Sequence, residues 1–168
     1  MTQPVQSFFE KLLSSIESSF TKLPPLIVED TSVLFYDVFL LINLSLSISF
    51  WVVHRMSFEY IGTALSEGSL LCIIWIISGL YNGAFLLSAV DGHYGSDSEE
   101  GGPKAAGMLG LSTFVTTANI RIVVALIMAL IEHRPVGSMD GEMLMPSEIL
   151  FGIALMSLWR SLHSYYTP

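Results

Sequence analysis

The feature that most constrains the fold is an apolar run at 111–131, LSTFVTTANIRIVVALIMALI, which contains a single charged residue, Arg121. A run of this length can cross the hydrocarbon core of a bilayer as a helix. Comparable apolar runs lie at about 33–53, 69–90 and 148–163. Inside lipid, only helices and closed β-barrels satisfy their own backbone hydrogen bonds. The sequence therefore predicts an all-α integral membrane bundle of four transmembrane helices.

Composition agrees with this fold class and excludes several functions. Hydrophobic residues make up 52% of the 168 residues and charged residues 13%, about half of the roughly 25% that is typical of soluble domains. The net charge of −8 leaves no basic surface for nucleic acid or for anionic lipid headgroups. Because Cys72 is the single cysteine, a disulfide within the chain and a multi-cysteine metal site are excluded.

Residues 5–20 repeat apolar side chains at helical spacing, with polar side chains on the opposite side. The apolar row consists of Phe8, Leu12, Ile16 and Phe20. The pattern predicts an amphipathic helix that lies in the membrane interface or docks on a protein neighbour. The consecutive prolines of LPPL end it, since proline cannot continue a helix. We therefore divide the chain into an N-terminal helix and linker at 1–30 and a transmembrane domain at 31–168.

An even number of spans places both chain ends on one membrane face, here called side A, and the opposite face is side B. The cations counted for side A are Lys11, Lys22, Lys104 and Arg160. Those counted for side B are Arg55 and Arg134. Because cytoplasmic loops carry an excess of Lys and Arg, this bias predicts that side A faces the cytoplasm or the stroma.

Charged and amide side chains inside the spans predict a polar cluster. An arginine at the bilayer centre costs roughly 3 kcal/mol on insertion scales, so Arg121 needs partners. Counting about 1.5 Å per residue from side A places Arg121 about 15 Å deep and Asp37 about 6 Å deep. We predict an intramembrane cluster of Asp37, Asn82, Asn119 and Arg121, in which Asp37 and Arg121 form an ion pair. Such a cluster is either a structural device that fixes helix register or a ligand or proton site; alternatively, Arg121 faces outward and meets a neighbouring subunit, headgroup or pigment.

The histidines of the chain lie at span ends or in loops. They are His54, His93, His133 and His163. No two of them share metal-ligand spacing on a helix, so no metal site is predicted. A tetrapyrrole needs only one axial ligand. The candidate pigment ligands are His54, Asn82, Asn119, His133 and His163.

The sequence contains no nucleophile elbow, phosphate-binding loop or dinucleotide fingerprint, so no catalytic residue is assigned. The glycine-containing stretches GMLG at 107–110 and SGLYNG at 78–83 predict close helix packing instead. A membrane enzyme that uses the loop residues His93, Asp97 or His133 is the weakest of the functional hypotheses, because no motif supports it.

Several short motifs occur in a particular order. Asp37 opens the first span, W-x-x-S-G-L-Y-N-G occupies 75–83, PKAAG occupies 103–107, Arg121 lies in the third span, and WR at 159–160 closes the fourth. This order resembles a family of uncharacterised small four-helix membrane proteins of plastids and some bacteria. The end of the first span departs from that family, with WVVHRM in place of a GR-x-S-H turn.

The resemblance implies a plastid thylakoid protein that acts as an accessory subunit or assembly partner of a photosynthetic complex, with chlorophyll and carotenoid held against its spans. The TANIR stretch is similar to the pigment-binding Asn-x-Arg stretch of light-harvesting proteins, but Thr116 stands where those have glutamate, so antenna membership is not expected. We expect a non-catalytic accessory subunit whose partners are other membrane subunits and lipids. The alternative is a small transporter or channel built around Arg121 and Asp37.

Overall fold

The computed structural model of the protein describes residues 26–51, 58–90, 102–138 and 140–166. Within these ranges the chain is all-α. Its helices are α1 (Thr31–Trp51), α2 (Phe58–Tyr81), α3 (Leu87–Val90), α4 (Pro103–Ile131) and α5 (Asp140–Tyr166). Helices α1, α2, α4 and α5 are long and apolar enough to cross a membrane, which confirms the predicted four-helix fold. The amphipathic helix predicted at 5–20 lies outside the described residues.

Helix α1 begins where Asp30 caps it. The Asp30 carboxylate accepts hydrogen bonds from the backbone N–H groups of Ser32 at 2.8 Å and Val33 at 3.1 Å. These donors have no partner inside the helix, so a side-chain oxygen at this position stabilises the helix start.

Helix α2 ends in a Schellman turn at Gly83, whose φ is 66°. Glycine adopts this left-handed conformation without a Cβ clash. Two backbone hydrogen bonds close the turn, from Gly83 N to Leu80 O at 3.3 Å and from Ala84 N to Gly79 O at 2.7 Å. The carbonyl oxygens that follow this turn accept hydrogen bonds from other parts of the chain: Ala84 O from Arg160 and Phe85 O from the backbone N–H of Glu29.

Three helices begin earlier in the chain than the apolar runs from which they were predicted. The second span begins at Phe58 and ends at Tyr81, so the predicted span at 69–90 is wrong at both ends. Helix α4 begins at Pro103, a residue type that the first helical turn accepts, and α5 begins at Asp140 and continues through Pro146. Hydropathy marks only the apolar part of a helix, and polar turns extend each of these helices toward water.

Successive long helices run antiparallel across the bundle, and α4 packs most extensively on α5. Glycines permit this close approach: a Cβ built on Gly110 would lie 2.9 Å from the carbonyl oxygen of Met156. A Cβ on Gly107 would lie 3.1 Å from the carbonyl oxygen of Ser157. The prediction that GMLG is a packing surface is therefore confirmed.

Candidate functional site

The Asp37 cluster, made of Asp37, Trp75, Trp159 and Arg160, ties α1, α2 and α5 together in the side A half of the bundle. Asp37 is fully buried. Its carboxylate accepts hydrogen bonds from Trp75 Nε1 at 3.0 Å, Trp159 Nε1 at 2.9 Å and Arg160 Nη2 at 2.5 Å. One carboxylate meets one guanidinium, so the charges balance, and the two indole N–H groups add neutral donors.

Arg160 is also held by the turn that follows α2 and by aromatic rings. Its Nη1 donates to the carbonyl oxygen of Ala84 at 2.7 Å. Its guanidinium carbon lies 5.9 Å from the ring centroid of Trp75 and 5.4 Å from that of Phe85, which is within the range of a cation–π interaction. Arg160 is therefore an interior residue. It does not contribute to the surface charge bias that predicts the orientation of the chain.

The Arg121 cluster, made of Ser45, Glu67, Arg121 and Glu148, joins all four long helices in the side B half. Arg121 Nη2 donates to Glu67 Oε2 at 2.8 Å and to Glu148 Oε2 at 2.7 Å. The hydroxyl of Ser45 donates to the other carboxylate oxygen of Glu148. Glu148 is fully buried, whereas the Glu67 side chain is 24% exposed. Two carboxylates share one guanidinium, so the cluster carries an uncompensated negative charge when both are ionised.

The predicted ion pair between Asp37 and Arg121 is wrong, because the two residues belong to different clusters. Arg121 follows the start of α4 at Pro103 by eighteen residues, roughly 27 Å along the helix axis. The prediction counted depth from a helix start that was too late, and so it placed Arg121 in the wrong half of the membrane. The predicted spans at 69–90 and 148–163 left Glu67 just outside a span and Glu148 at its first residue, whereas both lie inside helices.

The two predicted asparagines are not part of either cluster. Asn82 Nδ2, next to the end of α2, donates to the hydroxyl of Thr113 on α4 at 3.2 Å. Asn119 lies on the outer, exposed face of α4, although it is two positions from Arg121 along the chain. The four residues of the predicted polar cluster therefore lie in four separate locations.

The candidate pigment ligands have different environments. His133 is exposed and has a φ of 52° at the end of α4. His163 is partly buried, with its ring 5.3 Å from that of Trp159, and its Nδ1 has no hydrogen-bond partner among the described residues. His54, together with His93 and Asp97 of the enzyme hypothesis, lies outside the described residues. A pigment-binding role for any of these residues stays a prediction.

A signal for the two clusters exists in the sequence, at a spacing of four residues. The inner helix faces read Asp37–Leu41–Ser45 on α1, Glu67–Leu71–Trp75 on α2 and Glu148–Gly152–Met156–Arg160 on α5. Residues i and i+4 share one face of a helix. Apolar residues therefore separate the polar ones on each inner face.

Apolar side chains lie between the two clusters and are here called the apolar layer. Those that are fully buried are Leu41, Leu71 and Met156 of these rows and Phe114 of α4. The ring of Trp75 packs beside them, with its centroid 6.0 Å from that of Phe114. The ionic groups of side A and side B are thus separated by close-packed side chains.

A cavity of about 170 Å³ lies beside the Arg121 cluster and is here called the Glu67 cavity. Its charged lining residues are Glu67, Arg121, Glu132, Arg134 and Glu142. At its side B rim, Arg134 donates to both carboxylate oxygens of Glu142, at 2.7 and 2.9 Å, and it also pairs with Glu132. The hydrogen bonds that Arg134 donates to Glu142 and Glu132 raise the pKa of Arg134 above its usual value, so this guanidinium stays charged.

In the part of the chain that the structure describes, no group of three or more His, Cys, Asp or Glu side chains is arranged to hold a metal ion. Comparison of the chain with protein-family models, with curated proteins and with solved structures finds no match. The functional conclusion therefore depends on the two clusters, the apolar layer and the cavity.

Proposed function

We propose that this protein is a non-catalytic structural subunit of a larger membrane complex. The observation that carries the proposal is the apolar layer between two ionic clusters whose members bond across helices. Ionic and hydrogen-bonded contacts of this kind specify helix register and handedness in a bilayer. An interior built in this way presents a rigid outer surface to neighbouring membrane proteins.

The outer surface of α1 supports a neighbour that contacts aromatic groups. Phe35 is 67% exposed and Phe39 is 55% exposed, and their spacing of four residues places them on one face. The resemblance described above adds the finer part of the proposal, in which the host is a photosynthetic complex of the thylakoid membrane and the neighbours include chlorophyll or carotenoid.

Extraction in mild detergent from the membranes in which the protein naturally resides tests this role. The protein is expected to migrate with a large complex on a native gel, and pigment absorbance in the same band would support the photosynthetic version. Migration as a free small monomer would contradict the structural-subunit role. A large band without pigment would keep that role and remove the photosynthetic part.

Site-specific photocrosslinking locates the contact surface. A photoreactive amino acid at Phe39 should yield adducts with other subunits. The same group at Leu41, on the same helix but fully buried, should yield only bonds within the chain. Equal intermolecular adducts from the two positions would mean that the outward face of α1 has no specific neighbour.

A small transporter or channel is the second candidate, and the Glu67 cavity favours it because it leads from side B to an intramembrane ion pair. The apolar layer would have to open during transport. Reconstituted liposomes with the unmodified protein would then show solute flux that Arg121→Gln abolishes. Absence of flux for ions, protons and small amines in the unmodified protein would end this hypothesis.

A further inference from the structure

The Glu67 cavity has the size of a binding site for a small molecule. It lies between α2, α4 and α5, with a volume of about 170 Å³. An engineered protein cavity of about 150 Å³ accommodates benzene. Its rim is formed by residues at the side B ends of α4 and α5, so a ligand would enter from that membrane face.

The charges around the cavity favour a cation. Glu67, Glu132 and Glu142 line it together with Arg121 and Arg134, and the Glu148 carboxylate lies behind Arg121. Among the described residues, four carboxylates and two guanidiniums therefore lie in or next to the cavity, an excess of two acidic side chains. Arg121 Nε is buried and has no hydrogen-bond partner among the described residues, so it could donate to a neutral acceptor atom of a ligand. The excess of carboxylates disfavours a phosphate or carboxylate ligand.

One carboxylate, that of Glu67, is placed to accept a hydrogen bond from a cationic ligand. Glu67 bonds to Arg121 through Oε2 alone, and the described residues offer no hydrogen bond to its Oε1. Glu67 is 24% exposed, whereas its counterpart Glu148 is fully buried and is bonded at both oxygens. An ammonium group in the cavity could therefore donate to Glu67 without breaking the Arg121 pair.

The uncharged residues that line the cavity favour an organic cation over a metal ion. This part of the wall is aliphatic and includes Leu70, Val124 and Ala125. Hard metal cations require about six oxygen ligands, which this wall does not supply. Met128 and Met145 complete it, and flexible, polarisable methionines adapt to ligands of varied shape.

We propose that the Glu67 cavity binds a small organic monocation, a protonated amine with a compact apolar body. The ammonium group is bound by Glu67 and the apolar body lies against the methionines and Val124. This site is independent of the structural role proposed above.

Calorimetric titration of the purified full chain in lipid nanodiscs tests the site. The probe is benzylammonium, and benzyl alcohol is the neutral probe of similar shape. Benzylammonium should bind saturably at one site, about ten-fold more tightly than benzyl alcohol, because one charge-assisted hydrogen bond separates them. Equal affinity of the two probes, or no saturable binding of either, would overturn the proposal.

Variants distinguish the cavity from binding elsewhere in the bilayer. Ala125→Phe fills the cavity without changing its charge and should abolish binding, and Glu67→Gln should weaken it about ten-fold. Ala154→Phe, on the outer face of α5, is the matched control and should bind as the unmodified protein does. Circular dichroism checks that each variant is folded. If Ala125→Phe is folded and still binds benzylammonium normally, the assignment to this cavity is wrong.

Discussion

The two ionic clusters both pair carboxylates with one arginine and differ in their charge balance. The Asp37 cluster pairs one carboxylate with one guanidinium and adds two indole donors. The Arg121 cluster pairs two carboxylates with one guanidinium. Only the second cluster lines the Glu67 cavity.

This difference suggests two roles for buried charge in one bundle: holding helices in register and binding a further cation. In a balanced cluster whose charged groups are all buried, each charge already has its partner, which favours a role in holding helices in register. We expect a cluster with a second, partly exposed carboxylate to tolerate the loss of one partner and to be able to accept another cation. Of four predictions, ordered from the largest expected effect to the smallest, Asp37→Asn and Glu67→Gln test this contrast directly, and the other two test the packing and the backbone around the clusters.

Asp37→Asn should lower the free energy of unfolding by about 3–5 kcal/mol, because Arg160 would be left as an uncompensated buried charge. Reversible unfolding in mixed detergent micelles measures this loss. The double variant Asp37→Asn with Arg160→Met removes both charges and should recover part of the loss. A single-variant loss below about 1 kcal/mol would show that Asp37 does not stabilise Arg160.

Gly110→Ala should lower the free energy of unfolding by about 1–3 kcal/mol, because a methyl group would press on the backbone of Met156 and on Arg160. The same unfolding assay applies. Gly62→Ala is the matched control, since nothing lies within 4 Å of a Cβ at that position, and alanine there should be neutral or slightly stabilising. Equal effects of the two changes would contradict the close packing of α4 on α5.

Glu67→Gln should cost only about 1 kcal/mol, because Glu148 still pairs with Arg121. The loss in the free energy of unfolding should be compared with the loss that Asp37→Asn causes in the same assay. If Glu67→Gln proves as damaging as Asp37→Asn, the second carboxylate of the Arg121 cluster is not in excess.

His133→Gly should raise the free energy of unfolding by about 1 kcal/mol, because His133 has a φ of 52° and glycine removes the Cβ clash of that conformation. The control is Leu130→Gly in the last turn of α4, which should destabilise by about 1 kcal/mol. Thermal unfolding of the two variants side by side checks the opposite signs. A destabilised His133→Gly would indicate a contact of the imidazole that outweighs the backbone strain.

Helix ends show why part of the site could not be predicted. Hydropathy started the second and fourth spans at 69 and 148, well inside α2 and α5, so Glu67 and Glu148 fell at the edges of the predicted spans. The helices continue past those edges to Phe58 and Asp140. Once the true helix starts are known, the spacing of four residues shows which of these polar residues share an inner helix face, but it does not show which acid pairs with which cation.

The sequence by itself determined the class of this protein, because apolar length is a local property and each span must satisfy its own backbone in lipid. It also determined the close approach of α4 and α5 through the glycines of GMLG. Only the tertiary structure decided which acid meets which cation. Arg160 and Asp37 lie 123 positions apart, and Arg121 lies 54 positions from Glu67, so their pairing depends on the depth and rotation of whole helices. No local pattern encodes those quantities.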